Sequence, residues 1–200
     1  MNKYSPVVNG RIGLYYPDLG LKIEKEKAYE ILLEKGFTFE KKNIAQVIML
    51  CLGKPYKRGS KISWDTIPET FDCSSLVKWI YGQLGIWLPR ISIDQFFYGE
   101  EIDLINLKPG DLVFTEGAIP YHEGERVIGH VGIFDGENVI HAANKDEGVI
   151  SETIEQTFSK GIRGLTRVEK NLAELDTVVI PTESKIEYFN HLKWRILQNL

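Results

Sequence analysis

Three residues of this 200-residue chain have the types and setting for nucleophilic chemistry: Cys73, His130 and His141. Cys73 lies in Phe71-Asp72-Cys73-Ser74-Ser75, just ahead of a segment whose Leu76, Val77, Ile80, Tyr81 and Leu84 recur at helical spacing. A thiol at a helix N-terminus feels the partial positive charge of that end, which favours thiolate over thiol. The two histidines fall in strand-like segments, 129–134 and 138–142. A thiol, an imidazole to take its proton and a second polar group to orient the imidazole together make a nucleophilic cysteine hydrolase.

The histidines can be tested against each other through the turn that joins them. Asp135-Gly136 between two apolar runs is a strong hairpin signal. If Phe134 pairs with Val139, Gly132 lies opposite His141 and His130 lies two residues beyond Gly132. Both histidines then share one face as diagonal neighbours, roughly 7–8 Å apart at the backbone. A one-residue slip would place them on opposite faces. Gly132 leaves the space between them open. His122, beside Glu123, and His191, in a C-terminal helical pattern, lack such company, and Cys51 reads as a small buried hydrophobe.

The remaining pattern supplies the elements that must position these groups. Residues 1–24 mix proline, glycine and aromatics without a period, as in an irregular or β-like arm. Residues 23–35 read as a charged amphipathic helix with Ala28, Ile31 and Leu32 on one face and Gly36 as its stop. A second helix over 43–52 closes at Gly53 and Pro55, and 54–70 is a polar loop. Gly85 stops the helix that begins at Cys73. Ser92-x-x-Gln95 has the form of a capping box opening a short helix. Beyond it the pattern changes to strands at 112–114, 129–134, 138–142, 149–154 and 162–168, with a polar loop over 115–127 and a last helix over 185–200. Helices first and a β-meander after predict an α+β fold.

Bulk properties narrow the function classes. A composition of 43% hydrophobic and 26% charged residues can build a real core. A net charge of −4 argues against a nucleic-acid partner. No apolar run is long enough to span a bilayer. Two cysteines make no disulfide framework, and no spacing points to a metal site or to a cofactor. No secretory signal follows the first residues, which favours a cytoplasmic location over export.

Read in order, five motifs resemble the NlpC-type cell-wall cysteine peptidase family of the papain-like superfamily. They are Gly53-Lys54-Pro55-Tyr56, then Phe71-Asp72-Cys73-Ser74-Ser75-Leu76-Val77, then Leu88-Pro89-Arg90-x-Ser92-x-x-Gln95, then Pro109-Gly110-Asp111-Leu112-Val113-Phe114, and finally Gly129-His130-Val131-Gly132-Ile133-Phe134 with Ile140-His141-Ala142. The resemblance implies a papain-like fold, with N-terminal helices packed on a central antiparallel β-sheet. It implies Cys73 as nucleophile, His130 as general base and then acid, and His141 as the group that orients His130. It implies a substrate or oxyanion role for Tyr56, and makes Asp72 and Ser74 candidates for holding the free amino end of a short peptide. It also implies peptidoglycan-derived peptides as substrates, typically cut between D-γ-glutamate and a diamino acid, through a thioester.

Three departures stand out. Arg58 occupies the place of a usual tryptophan, Ser75 the place of a glycine, and the 115–128 loop is longer than the usual turn. Two residues keep two readings: Asp72 as helix cap or substrate group, and Arg90 as ion-pair partner or substrate group. Asp111 reads as a turn residue bonded to backbone. The rival enzyme reading is a CHAP-like amidase or another papain-like acyl hydrolase or transferase. The non-enzyme rival is a catalytically silent wall-peptide binding module. The expected boundaries are an N-terminal extension over 1–40, a catalytic domain over 41–169 and a C-terminal extension with its helix over 170–200. The oligomeric state is not legible.

Overall fold

The structure is a computed structural model that describes residues 3–200, so the first two residues of the expected N-terminal extension lie outside it. The chain forms two compact units, each assembled from separate stretches.

Among the described residues, the first unit takes 3–43, 81–87 and 171–200. Its strands β1 (Arg11–Leu14), β2 (Thr38–Glu40) and β11 (Asp176–Val179) form an antiparallel sheet in the order β1-β11-β2. Helices α1 (Lys25–Glu34) and α6 (Phe189–Leu197) share its core, where Ile12, Leu14, Leu32, Phe37, Val178 and Leu192 are buried. The buried face of α1 is the expected Ala28, Ile31 and Leu32. It ends in a Schellman arrangement: Gly36 (φ 81°) donates to the Leu33 carbonyl and Phe37 to that of Leu32. The strands β2 and β11 have no counterpart in the sequence reading. They are short, and β2 shows an exposed and half-buried pattern that gives no alternation to read.

The second unit takes residues 44–80 and 88–170. It contains α2 (Ile44–Met49), the first turns of α3 (Cys73–Gln83) and α4 (Ser92–Tyr98). Its sheet runs β3 (Glu100–Glu101), β10 (Ile162–Arg167), β4 (Leu112–Thr115), β7 (His130–Phe134), β8 (Asn138–Ala142) and β9 (Val149–Thr153), every pair antiparallel. A short helix α5 (Ile154–Ser159) links β9 to β10. The helix α4 packs on the sheet through Phe96, edge-on to Phe114 at 5.3 Å. Asp111 is buried, accepts the Lys108 N–H as expected of a turn residue, and takes both hydrogen bonds of an Arg167 fork at 2.8 and 2.6 Å.

Two local expectations fail. The 115–127 segment is not only loop: it contains a hairpin of β5 (Tyr121–Glu123) and β6 (Arg126–Ile128), with Tyr121 opposite Ile128. Its charged, exposed residues hide the alternation. The capping box at Ser92 does not form, because Ile91 is the N-cap and makes no side-chain cap bond. The Gln95 amide instead donates to the carbonyls of Ser74 and Pro89, tying α4 to the start of α3. Among the described residues no helix is long and apolar enough to cross a membrane.

Candidate active site

The cap that the sequence suggests for α4 is found on α3. Asp72 Oδ1 accepts the Ser75 N–H at 2.8 Å, and the Asp72 N–H donates to Ser75 Oγ at 2.9 Å. This reciprocal pair is a capping box, built with Ser75. It fixes Cys73 as the first residue of the helix. The loop before it is also fixed, since Tyr56 bridges Phe71, with Lys57 donating to the Phe71 carbonyl and Phe71 to that of Pro55.

The Asp72 carboxylate is saturated. Besides Ser75 it accepts from Gly59 and Ser60 N–H at 2.9 and 3.2 Å, from Ser74 Oγ at 3.4 Å, and from both Arg90 nitrogens at 3.0 and 2.5 Å. Arg90 also donates to Ser74 Oγ and to the Ser60 carbonyl. Burial works to raise the Asp72 pKa, but Arg90 and the Ser75 N–H outweigh it and hold the carboxyl below its usual range. Of the two readings open for Arg90, the ion pair is therefore present.

Tyr56, Asp72, Cys73, Ser74 and His130 line one cavity of about 470 Å³, with Arg58 at its exposed edge. The long 115–128 segment contributes Ile119 and Tyr121 to the same wall. His141 lies behind His130, and the pair borders a second cavity of about 430 Å³ that also has Asn144, Glu147 and Lys160 on its lining.

The hairpin register is Phe134 opposite Val139, with Ile133 opposite Ile140. This is the register that puts both histidines on one face. His130 Nε2 and His141 Nδ1 meet at 2.8 Å, with the rings perpendicular. Gly132 makes the approach possible: a Cβ there would stand 2.5 Å from Val139 Cγ1 and 3.2 Å from His141 Cβ. Gly132→Ala is therefore expected to cost about 1–3 kcal/mol of stability, the usual penalty of overpacking. Urea denaturation checks this.

The protonation of the pair differs from the simple helix-dipole argument. Burial pushes the Cys73 thiol up, and the Asp72 carboxylate pushes the same way. The N–H groups of Val131 and Ser74 and the Arg90 charge act in the opposite direction without cancelling this. Burial, His141 and Lys160 lower His130 to about 3, so its imidazole is neutral and able to accept a proton. His141 is lowered too, chiefly by burial, against the pull of Glu152. Burial, with Cys73 and Asp72 adding to it, raises the Tyr56 phenol, which therefore keeps its proton and can donate.

The sequence reading passes over Glu152. It sits on β9 opposite Val139, on the same sheet face as His141, with Oε2 3.2 Å from His141 Nε2 and Oε1 2.5 Å from Lys160 Nζ. The strand over 149–154 was legible, but its register is set by the 143–148 turn, which carries no equivalent of the Asp-Gly signal.

Known proteins share this arrangement of segments. The sequence profile of the NlpC/P60 family matches residues 53–167. The gamma-DL-glutamyl hydrolase of Bacillus subtilis (strain 168) is 34% identical over 137 residues, 68% of this chain and 29% of that protein. The bifunctional muramidase/DL-endopeptidase CwlT of the same strain is 39% identical over 122 residues, 60% of this chain and 30% of that protein. The chain thus spans about three-tenths of the length of these curated relatives. The solved structure of NlpC1 from Trichomonas vaginalis superposes with a TM-score of 0.52 at 25% identity, over 62% of this chain and 42% of that one. A profile match over more than half of the residues, falling on the unit that carries the cysteine and both histidines, shows that the chain belongs to the NlpC/P60 family.

Proposed function

We propose that this protein is a cysteine peptidase that hydrolyses γ-glutamyl amide bonds in peptidoglycan-derived peptides, through a thioester on Cys73. The observation that carries the reading is the placement of Cys73 and His130 on one cavity, with His130 Nε2 2.8 Å from His141 Nδ1. The γ-glutamyl specificity is supported by the relative named a gamma-DL-glutamyl hydrolase, and peptide hydrolysis by the relative named a muramidase/DL-endopeptidase.

The chemistry follows from the placement. His130 Nε2 is engaged by His141, so Nδ1 is the nitrogen left for the Cys73 proton. The resulting thiolate attacks the glutamyl γ-carbonyl. The first N–H groups of a helix have no intrahelical acceptor, so those of Cys73 and Ser74, together with the Tyr56 hydroxyl, can receive the developing oxyanion. The imidazolium returns its proton to the departing amine, leaving the thioester. Water, deprotonated by His130, then releases the γ-carboxylate. The two cavities flanking His130 offer separate room for the acyl and amine halves.

The test is digestion of defined peptides that carry a D-γ-glutamyl–diamino acid bond, with free or blocked amino ends, read by mass spectrometry. The expected result is a single cut on the carboxyl side of γ-glutamate. Cleavage elsewhere, or no cleavage by protein whose Cys73 reacts readily with a thiol probe, would overturn the substrate. The saturation of Asp72 and its engagement of Ser74 support a binding mode without a salt bridge from Asp72 to a substrate amine, so a blocked amino end is expected to be tolerated within about tenfold. Preference for free peptides over intact sacculi would support a role in recycling wall fragments, and the opposite preference would overturn it.

A further inference from the structure

Two neutral imidazoles joined by one hydrogen bond can place their protons in two ways, and only one is competent here. If His130 donates from Nε2, its Nδ1 keeps a lone pair for the Cys73 proton. If His141 donates from Nδ1 instead, His130 carries its proton on Nδ1 and cannot act as base. The 2.8 Å contact fits either arrangement. What breaks the tie lies on the other side of His141.

His141 Nε2 and Glu152 Oε2 are both buried and lie 3.2 Å apart, and neither has a hydrogen-bond partner, so each is the polar group placed to satisfy the other. The carboxylate side chain is only 13% exposed, and Lys160 pairs its second oxygen. A carboxylate accepts and does not donate, so the proton on the His141–Glu152 contact belongs to His141 Nε2. His141 Nδ1 is then an acceptor, and His130 must be the donor across the 2.8 Å contact. The β8–β9 register is what brings this about: Val139 opposite Glu152 puts the carboxylate one diagonal step from His141 on the same face.

We propose that Glu152 is a positioning residue which sets the tautomers of both histidines, holding His130 as its Nε2–H form with Nδ1 open to Cys73. This rests on the reading of Cys73 and His130 as nucleophile and base. In the step it serves, the Cys73 S–H bond breaks with its electron pair left on sulfur, an N–H bond forms at His130 Nδ1, and the Nε2–H of His130 stays on its bond to His141. Metal-site and hydrolase histidines are commonly oriented in this manner by a carboxylate behind them. Here the carboxylate acts through one further imidazole.

The decisive variant is Glu152→Gln, which preserves shape. Lys160 is a pure donor and takes the amide oxygen, so the amide NH₂ turns toward His141 Nε2 and reverses the whole chain of donors. Glu152→Ala removes the bias without reversing it. The experiment is ¹⁵N-histidine NMR of the full chain, with kcat, KM and the rate of Cys73 alkylation by iodoacetamide measured alongside thermal melting. In the wild type His130 is expected as the Nε2–H tautomer, and in Glu152→Gln as Nδ1–H. The kcat and the alkylation rate of Glu152→Gln are expected to fall about 10- to 100-fold, with KM within about twofold. Glu152→Ala is expected to lose less than Glu152→Gln. A merely structural role predicts the reverse order, since the isosteric amide packs better than alanine. An unchanged His130 tautomer in Glu152→Gln, or a larger loss in Glu152→Ala, would overturn the proposal. The tautomer and alkylation readouts need no substrate, so uncut γ-glutamyl peptides in the wild type would overturn the substrate reading while these still decide the role of Glu152.

Discussion

Cys73→Ala is expected to lower kcat on the cleaved peptide by about 10⁴-fold or more while leaving the melting temperature close to that of the wild type. The size follows from the proposed chemistry, in which the sulfur is the acyl acceptor and its removal leaves only binding and the proposed oxyanion donors. Stability is spared because the helix start is held by Asp72 and Ser75, not by the thiol. His130→Ala is expected to be nearly as damaging, and the double variant no worse than the poorer single one, because residues that act as one unit are not additive. The neutral state of His130 and the raised thiol make this interdependence stronger, since neither group is charged until the proton passes between them. Peptide turnover followed by mass spectrometry measures all three. Activity of Cys73→Ala within about tenfold of wild type would remove Cys73 from the mechanism.

The second large effect is on stability. Asp72→Ala is expected to cost about 3 kcal/mol in urea denaturation. Breaking a buried ion pair by removing one partner costs roughly 3–5 kcal/mol, and losing an N-cap adds about 1. The half-exposed Arg90, at 40% side-chain exposure, can recover water when its partner goes, which trims the total. Gly59, Ser60 and Ser75 N–H groups lose their acceptor at the same time, so the Tyr56 loop and the start of α3 loosen together. The effect also has a pH signature. The folded Asp72 carboxyl lies below its ordinary value, so its contribution is complete above about pH 4. It is lost as pH falls from there through the folded value. Wild-type stability should therefore fall more steeply below pH 4 than that of Asp72→Ala. Parallel acid-unfolding curves for the two proteins would contradict the role given to this carboxylate.

The parts of the molecule that were legible in sequence are those fixed by local chemistry. The start of α3, the face of α1, the Gly36 stop and the Phe134–Val139 register each follow from a few adjacent residues, and all are found. That register alone puts His130 and His141 on one face. What was not legible depends on residues far apart in the chain. Glu152 reaches His141 only because β9 adds beside β8 in one of several registers its turn would allow. Arg90 meets Asp72 across 18 residues, and nothing at either position announces which of its two readings holds. The capping-box pattern at Ser92 was misleading for a physical reason: Gln95 has better partners in the carbonyls of Ser74 and Pro89 than in its own helix start. The depressed thiol expected from the helix end was likewise overruled by burial, which a sequence does not display at single-residue resolution.

The order β1-β11-β2 has a consequence for how the chain is made. The central strand of that sheet is the last to be synthesised, and the two strands that flank it, β1 and β2, hydrogen-bond to it and not to each other. A ribosome delivering this chain releases β1 and β2 long before Asp176–Val179. For most of translation their ladder edges are open, and the first unit can close only after residues 44–170 have emerged. Unpaired edges of this kind are where nascent chains associate wrongly. The three residues of β2 and four of β1 keep those edges short during the wait.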